Sequence, residues 1–172
     1  ADIAENMPDA DVIAGIGCDG DIVELVQKAL AGGTVRCKAP KDQLPLEGGR
    51  KLYSLPFFAY LKIAEGCDNC CAYCAIPSIR GRFRSRPIEN IVEEAKRLAA
   101  DGVTELVVVA QDTTRYGLDL YGEYKLAELL RALCKIDGIR WIRTLYAYPE
   151  RITDELIDVI ASEEKLVKYL DI

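Results

Sequence analysis

Apolar residues along the chain follow two alternating spacings, which predict strands and helices in turn. Short apolar runs typical of buried strands begin near positions 59, 104, 140 and 167. Between them, apolar residues recur at helical spacing in three stretches. One stretch begins at Pro87, one ends at Asp137 and one follows Thr153. Strands that alternate with helices form βα units, and right-handed crossovers place such strands in one parallel sheet. The chain is therefore predicted to have an α/β fold, with the helix stripes and Trp141 in its core.

A shorter pattern precedes this series. Residues 11–16 form an apolar run, and residues 21–33 have the spacing of an amphipathic helix that ends in two glycines. Residues 34–37 form another short apolar run. This part is predicted to fold as strand, helix and strand.

These patterns divide the chain into three parts. Residues 1–37 are predicted to be an α/β unit, and residues 38–57, with prolines, glycines and little periodicity, a linker. Residues 58–172 hold the first four βα units of a larger domain, with a fourth strand over 165–172. Four strands do not close a (βα) barrel, so we expect a truncated, partial barrel whose remaining units lie beyond residue 172.

Composition and charge disfavour some classes of function and exclude others. The 172 residues carry a net charge of −6, which disfavours a chain whose main role is to bind DNA or RNA. The N-terminus is polar and no apolar run is long enough for a membrane span, so we expect neither a signal peptide nor a membrane partner. Histidine is absent, which excludes Ser-His-Asp triads and histidine zinc sites.

The chain contains seven cysteines, four of them between positions 67 and 74. An odd number, clustered in this way, is not typical of an extracellular disulfide framework. We therefore expect a reducing, cytoplasmic setting. Cys18 and Cys37 are interpreted as stray cysteines without a site.

The segment from Gly15 to Gly20 matches the G-x-G-x-x-G pattern of dinucleotide-binding folds. Such folds also need an acidic residue at the end of the second strand, where this chain has Arg36-Cys37-Lys38. The segment is therefore interpreted as an ordinary glycine turn.

The cysteine cluster permits two ligand patterns. Two abutting C-x-x-C pairs resemble zinc ligands, but they would place the neighbouring Cys70 and Cys71 on one small ion, which the backbone resists. The alternative pattern, Cys67, Cys71 and Cys74, supplies three thiolates from one loop and suits an iron–sulfur cubane. Three ligands for four irons leave one iron open. A cluster is favoured, and a zinc-binding interaction module without catalysis remains the alternative.

The spacing Cys-x-x-x-Cys-x-x-Cys, with Tyr73 before the last cysteine, resembles the signature of the radical S-adenosylmethionine (SAM) superfamily. Further motifs resemble its methylthiotransferases, most closely the RimO type, which modifies an aspartate of small-subunit ribosomal protein twelve. They are YLKIAEGCDN from Tyr60, CAIPSIRG from Cys74, RSRP from Arg84, AQDTTRYG from Ala110 and YAYP from Tyr146. The sister group that modifies tRNA usually has Gly-Gln-Asn in place of Ala110-Gln111-Asp112.

This resemblance implies a fold, cofactors and site residues. Residues 1–37 would be the tail of the N-terminal methylthiotransferase domain, and residues 58–172 the incomplete radical SAM core. Cys67, Cys71 and Cys74 would ligate a [4Fe-4S] cluster, and Cys70 would not. Tyr73 would lie near the adenine of SAM, with Gln111 and Asp112 at its methionyl ammonium. A second [4Fe-4S] cluster is expected only in the full-length protein.

The resemblance also implies a reaction. A deoxyadenosyl radical would take hydrogen from the β-carbon of the target aspartate, where a methylthio group is then installed, so no side chain is assigned as catalytic. The partners would be the ribosomal protein and a reductant such as a flavodoxin or ferredoxin. We do not expect this stretch alone to be fully active. The alternative substrate is tRNA.

Four arginines alternate between positions 80 and 86 and would share one face of an extended segment. They are either a solvated charged face or cations that offset the cluster charge, meet the cofactor carboxylate or contact the ribosomal partner.

Overall fold

The computed structural model describes residues 2–41, 46–53 and 55–172. Positions 42–45 and 54 of the predicted linker lie outside the described residues. The N-terminal part contains α1 (Asp2–Asn6), β1 (Val12–Ala14), α2 (Ile22–Leu30) and β2 (Val35–Cys37). Strands β1 and β2 pair in parallel. The predicted order of strand, helix and strand is confirmed.

The glycine-rich segment forms a 3-10 turn over Ile16–Asp21, between β1 and α2. A side chain at Gly17 would collide with the carbonyl oxygens of Ala39 and Pro40, so this turn requires glycine for close backbone approach. The turn also buries Cys18, which forms a disulfide with Cys37. The interpretation of these two cysteines as stray was wrong.

The register of the small sheet explains this disulfide. Ala14 pairs with Cys37, and the Gly15 amide donates to the Cys37 carbonyl at 2.9 Å. The chain then turns immediately, which returns Cys18 to the end of β2. The sequence separation of 19 residues does not reveal this proximity without the strand register.

The remaining elements lie C-terminal to the predicted linker. In order they are β3 (Phe58–Lys62), β4 (Ala64–Glu65), α3 (Ile76–Arg80), β5 (Arg84–Ser85), α4 (Ile88–Ala100), β6 (Glu105–Val109), α5 (Leu118–Tyr121), α6 (Leu126–Cys134), β7 (Trp141–Thr144) and α7 (Asp154–Ser162). Short 3-10 turns follow β6 at Thr113–Arg115 and β7 at Pro149–Arg151.

Strands β3, β6 and β7 form one parallel sheet in that spatial order, joined by helical crossovers. Ala59, Leu106 and Ile142 align across it, and their side chains lie in the core. The core also contains the apolar stripes of α4, α6 and α7, as their spacing predicts. The predicted α/β architecture with a parallel sheet is confirmed.

Trp141 is not part of this core, because its ring is 56% exposed. It aligns with Glu105 across the sheet, on the face opposite to the buried Ile142, since neighbouring side chains of a strand point to opposite faces. That face also carries the exposed Tyr60 and an ion pair of 3.1 Å between Arg143 and Glu105. The assignment of Trp141 to the core was wrong.

The strand predicted over 165–172 is reduced to a single parallel bridge between Ile142 and Leu166. Strand β7 itself ends at Thr144, and Tyr146 has a left-handed backbone with φ of 61°. A regular ladder cannot continue past such a residue. The end of the chain instead contacts this turn through Asp171, which accepts from the amides of Tyr146 and Ala147 at 2.9 and 2.8 Å.

Helix α7 begins as the sequence predicts, with the Thr153 hydroxyl oxygen accepting from the Leu156 amide at 3.2 Å. Within the described ranges, no helix combines the length and the apolar character needed to cross a bilayer.

Candidate functional site

The carboxyl ends of β3, β6 and β7 meet at one edge of the sheet, where three loops gather. The loop after β3 and β4 carries the cysteines, the loop after β6 begins with Gln111 and Asp112, and the loop after β7 carries Tyr148. In open parallel sheets, ligands bind at this edge. The topology thus brings the predicted site residues of separate motifs to one place.

The cysteine loop is closed at its base. Strands β4 and β5, which precede and follow it, pair antiparallel, and the Cys67 amide donates to the Gly81 carbonyl at 3.2 Å. Gly66 has φ of 79°, and a Cβ there would collide with the carbonyl oxygen of Arg82. Only glycine allows the two ends of the loop to approach so closely.

The three predicted ligand cysteines each face a polar group within the loop or beside it. The backbone amides of Asn69 and Ile76 donate to the sulfur atoms of Cys67 and Cys74, each at 3.5 Å. The Sγ atom of Cys71 lies 3.6 Å from the Tyr148 hydroxyl. Cys70 differs, since its side chain is exposed and its backbone is left-handed with φ of 50°.

The thiol of Cys67 is electrostatically coupled to its neighbours. Burial raises its pKa, and the Asp112 carboxylate and the Cys71 and Cys74 sulfurs raise it further, while the Asn69 amide opposes them. Cys71 and Cys74 therefore lie close to Cys67.

Iron–sulfur clusters are held by cysteine thiolates whose sulfur atoms accept hydrogen bonds. Cys67 and Cys74 accept backbone N–H bonds and Cys71 lies beside the Tyr148 hydroxyl, so this donor set fits such a cluster. Among the residues that the structure describes, no three of His, Cys, Asp or Glu are grouped to hold one metal ion.

Glu65, at the start of the cysteine loop, connects the elements around it. Its carboxylate is fully buried. It accepts from the Gly66 amide at 3.1 Å, Lys62 Nζ at 2.5 Å, Arg80 Nη1 at 3.1 Å and Gln111 Nε2 at 3.2 Å. Burial raises the pKa of this carboxyl, but the Lys62 ammonium, the Gly66 amide and the Arg80 guanidinium outweigh it and hold the pKa below its usual range. Glu65 therefore joins the cysteine loop to helix α3 and to the end of β6.

Asp112 is fully buried, and both of its oxygens accept hydrogen bonds from protein groups. Oδ1 accepts from the Thr114 hydroxyl at 2.7 Å and from the Arg115 amide at 3.2 Å. Oδ2 accepts from Asn69 Nδ2 at 3.0 Å and from Arg151 Nη1 at 2.8 Å. The carboxylate thus holds the cysteine loop against the loop after β7.

Gln111 lies beside Asp112 and differs from it in one respect. Its amide nitrogen donates to Glu65, whereas its Oε1 atom is buried and has no donor among the described residues. Buried polar atoms are rarely left without a partner, so an unpaired acceptor at a strand end indicates a place for a bound donor.

Tyr73 lies between Cys71 and Cys74, and its ring is 93% exposed. The structure therefore places Tyr73 at the cysteine loop with its side chain exposed to solvent. Such a ring is free to stack against a planar ligand.

The arginines between positions 80 and 86 do not share one face. Arg80 ends helix α3, and Gly81 then reverses the backbone with φ of 80°, so the segment is not extended throughout. Their guanidinium groups instead bind separate acceptors: Arg80 binds Glu65, Arg82 binds Asp68, Arg84 binds the Lys41 carbonyl, and Arg86 binds Glu47 and Glu94. The prediction of one arginine face was wrong.

Asn69, Tyr148 and Arg151 also contribute hydrogen bonds to the site, although none of them was among the predicted site residues. Arg151 Nη2 donates to Asn69 Oδ1 at 2.9 Å, across 82 positions of sequence. The only signal for Tyr148 was its place in the YAYP motif, just after a predicted strand.

Comparisons with known proteins match the part of the chain that forms this site. The model of the family described as the radical SAM superfamily matches residues 61–172, which include the cysteine loop and the loops after β6 and β7.

Curated relatives match nearly the whole chain. The ribosomal protein uS12 methylthiotransferase RimO of Moorella thermoacetica is 51% identical over 172 residues, which are 100% of this chain and 40% of that protein. The proteins of the same name from Desulforamulus reducens and Clostridium tetani are 52% and 50% identical, over 99% of this chain and 39% of their own length. The resemblance based on the motifs is confirmed, and the chain spans about 40% of the length of these relatives.

Solved structures show the same fold. The radical SAM methyltransferase TsrM of Kitasatospora setae, with cobalamin and a [4Fe-4S] cluster bound, matches with a TM-score of 0.50 at 18% identity, over 63% of this chain and 21% of that one. The same enzyme with tryptophan and a SAM analogue bound also has a TM-score of 0.50. The predicted α/β fold class is confirmed by these structures together with the family model over residues 61–172.

Proposed function

The chain belongs to the radical SAM superfamily, and from this we propose that Cys67, Cys71 and Cys74 hold a [4Fe-4S] cluster that binds SAM. The observation that carries the proposal is the closed loop in which all three sulfur atoms face polar hydrogen donors. Cys70 points to solvent and is proposed not to ligate.

When bound, such a cluster supplies the electron that cleaves SAM to methionine and a deoxyadenosyl radical, which can take hydrogen from an unactivated carbon. The protein's contribution is to position the cofactor and to adjust the local electrostatics.

Gln111 is the residue that we propose to contact the methionyl ammonium of SAM. Its Oε1 atom has a free lone pair, and its amide nitrogen is anchored on Glu65. Asp112 was predicted for the same role, but its acceptor sites are already used by protein donors. We propose that Asp112 does not contact SAM itself but positions Asn69 and Arg151 through its hydrogen bonds. Tyr73, with its exposed ring, is proposed to pack near the adenine.

For the longer protein, we propose transfer of a methylthio group to the β-carbon of an aspartate in small-subunit ribosomal protein uS12. The names of the relatives at 50–52% identity support a ribosomal protein substrate rather than tRNA. A flavodoxin or ferredoxin would supply the electron in the cytoplasm. Because the chain spans about 40% of these relatives, we do not propose that it performs the whole reaction alone.

The same resemblance supports a domain assignment. We propose that residues 1–37 are the end of the N-terminal methylthiotransferase domain, that residues 38–57 link it to the core, and that residues 58–172 are the first part of the radical SAM core. The second [4Fe-4S] cluster would belong to the longer protein.

Substitution of single cysteines tests the ligand set. After anaerobic reconstitution with iron and sulfide, we expect Cys67→Ala, Cys71→Ala and Cys74→Ala each to lose the cluster, because a cubane with two remaining ligands is not retained. Cys70→Ala is the matched control and should keep full iron and sulfide content. The measurement is iron and acid-labile sulfide per chain.

Iron that survives any of the first three substitutions would contradict this ligand assignment. A colourless wild-type protein with one zinc per chain would support the zinc-binding module instead.

A further inference from the structure

The Tyr148 side chain contacts a predicted ligand sulfur from outside the cysteine loop. Among the residues that the structure describes, it is the one such side chain within hydrogen-bond distance. Its hydroxyl oxygen lies 3.6 Å from the Sγ atom of Cys71, across 77 positions of sequence. This distance is within the range of hydrogen bonds to sulfur, whose acceptor radius is larger than that of oxygen. The contact joins the loop after β7 to the middle of the cysteine loop.

Tyr148 is held in this position by one backbone contact and one ring contact. The Tyr148 backbone amide donates to the Thr114 hydroxyl at 3.1 Å, and the guanidinium carbon of Arg151 lies 5.4 Å from the ring centroid. Arg151 is held in turn by Asp112 and Asn69, at 2.8 and 2.9 Å. The same network that anchors the cysteine loop therefore also orients the phenol toward Cys71.

The direction of this hydrogen bond follows from the chemistry of the two groups. A thiolate that ligates a metal has no proton and can only accept. A tyrosine phenol ordinarily has a pKa of about 10, so it keeps its proton at neutral pH. Tyr148 is then the donor.

We propose that Tyr148 is a positioning residue that tunes the reduction potential of the cluster by donating a hydrogen bond to the Cys71 thiolate. This inference rests on the proposed cluster. Reduction adds negative charge to the cluster and its ligands, so a donor at a ligand sulfur stabilises the reduced form more than the oxidised form. The hydrogen bond thereby raises the potential and makes the cluster easier to reduce.

The test is an anaerobic redox titration of the reconstituted chain, followed by EPR in the absence of SAM. Tyr148→Phe removes the hydroxyl and keeps the ring, and we expect its midpoint potential to be more negative than that of the wild type. A tenfold change in the reduction equilibrium corresponds to about 59 mV for a one-electron couple. Tyr146→Phe is the matched control, because its exposed ring lies two residues earlier on the same loop, and its potential should be unchanged.

A second variant keeps the test informative if Tyr148→Phe assembles less cluster. A singly fluorinated tyrosine at position 148 preserves the ring, stays protonated in a titration at slightly acidic pH and strengthens the donor, so it should shift the potential in the opposite, positive direction. Iron and sulfide content is measured for every variant.

Equal potentials in fully loaded wild type, Tyr148→Phe and the fluorinated variant would overturn the role of Tyr148 and leave the cluster assignment intact. A wild type without a cluster would overturn the proposed function, and the role of Tyr148 with it.

Discussion

Gln111 and Asp112, neighbours at the end of β6, differ in their hydrogen-bond partners. Asp112 is an acidic residue in the place where a cofactor ammonium is expected, yet its oxygens are occupied by Asn69, Arg151, Thr114 and Arg115. Gln111 carries no charge but has an unpaired buried acceptor. Residue type alone would favour Asp112, whereas the hydrogen bonds favour Gln111.

Gln111→Ala should therefore weaken SAM binding without removing the cluster. Loss of a hydrogen bond to a charged group costs about 1.5–3 kcal/mol, which corresponds to a weakening of roughly tenfold or more. The measurement is the SAM dissociation constant of the reconstituted chain, with iron content as the control for loading. An unchanged dissociation constant would contradict the role of Gln111.

At this scale the sequence predicted the residues that local spacing defines. The pattern of Cys67, Cys71 and Cys74 is contained in eight positions and needs no fold. Arg151 and Tyr148 could not be predicted, because their contacts with Asn69 and Cys71 depend on how β7 lies beside the other strands.

Among the elements, the short pair β4 and β5 brings the two ends of the cysteine loop together. Each strand has two residues, and together they close the cysteine loop at its base. The Glu65 carboxylate strengthens this closure by binding Lys62, Arg80 and Gln111. The cysteine loop is thus held in place by hydrogen bonds at its base and by the Glu65 carboxylate.

Glu65→Gln should loosen this loop, because a neutral amide cannot replace the carboxylate in all of its hydrogen bonds. We expect a loss of about 1–3 kcal/mol in the free energy of unfolding, the usual cost of unsatisfied buried polar groups, and faster loss of iron to a chelator. The matched control is Glu93→Gln, which removes an exposed ion pair with Arg97 and should change stability by about 0.5 kcal/mol or less. Equal chelation rates in the two variants would contradict the bracing role.

Element prediction succeeded where one periodic pattern decides the outcome. The helices α4, α6 and α7 follow their apolar stripes, and the Thr153 cap is where the sequence places it. The strand over 165–172 and the position of Trp141 were predicted incorrectly, because both depend on sheet register. Apolar residues indicate that a strand is present, but not which of its faces is buried.

On the scale of the whole molecule, the predicted linker and the core are connected by specific contacts. Glu47, in the predicted linker, accepts from Arg86 Nε at 2.9 Å, and Arg86 is buried and also paired with Glu94 at 2.7 Å. The predicted linker is therefore packed on the core at this point. Within the N-terminal unit, the Cys18–Cys37 disulfide fixes the end of β2, from which the chain enters this segment.

This disulfide predicts a difference in thiol accessibility. In protein prepared without reductant and then denatured, alkylation should modify the five free cysteines, and prior reduction should expose Cys18 and Cys37 as well. Mass spectrometry of the intact chain counts the modified thiols. Modification of all cysteines before reduction would contradict the disulfide.

The central claim is that three cysteines of one loop hold a cluster with an open iron. The most direct measurement is the EPR spectrum of the anaerobically reconstituted and reduced chain, recorded before and after addition of SAM. We predict the signal of a reduced [4Fe-4S] cluster, with about four irons per chain, and a change in that signal when SAM binds the open iron. Absence of the cluster signal, or a signal that SAM leaves unchanged, would contradict the account.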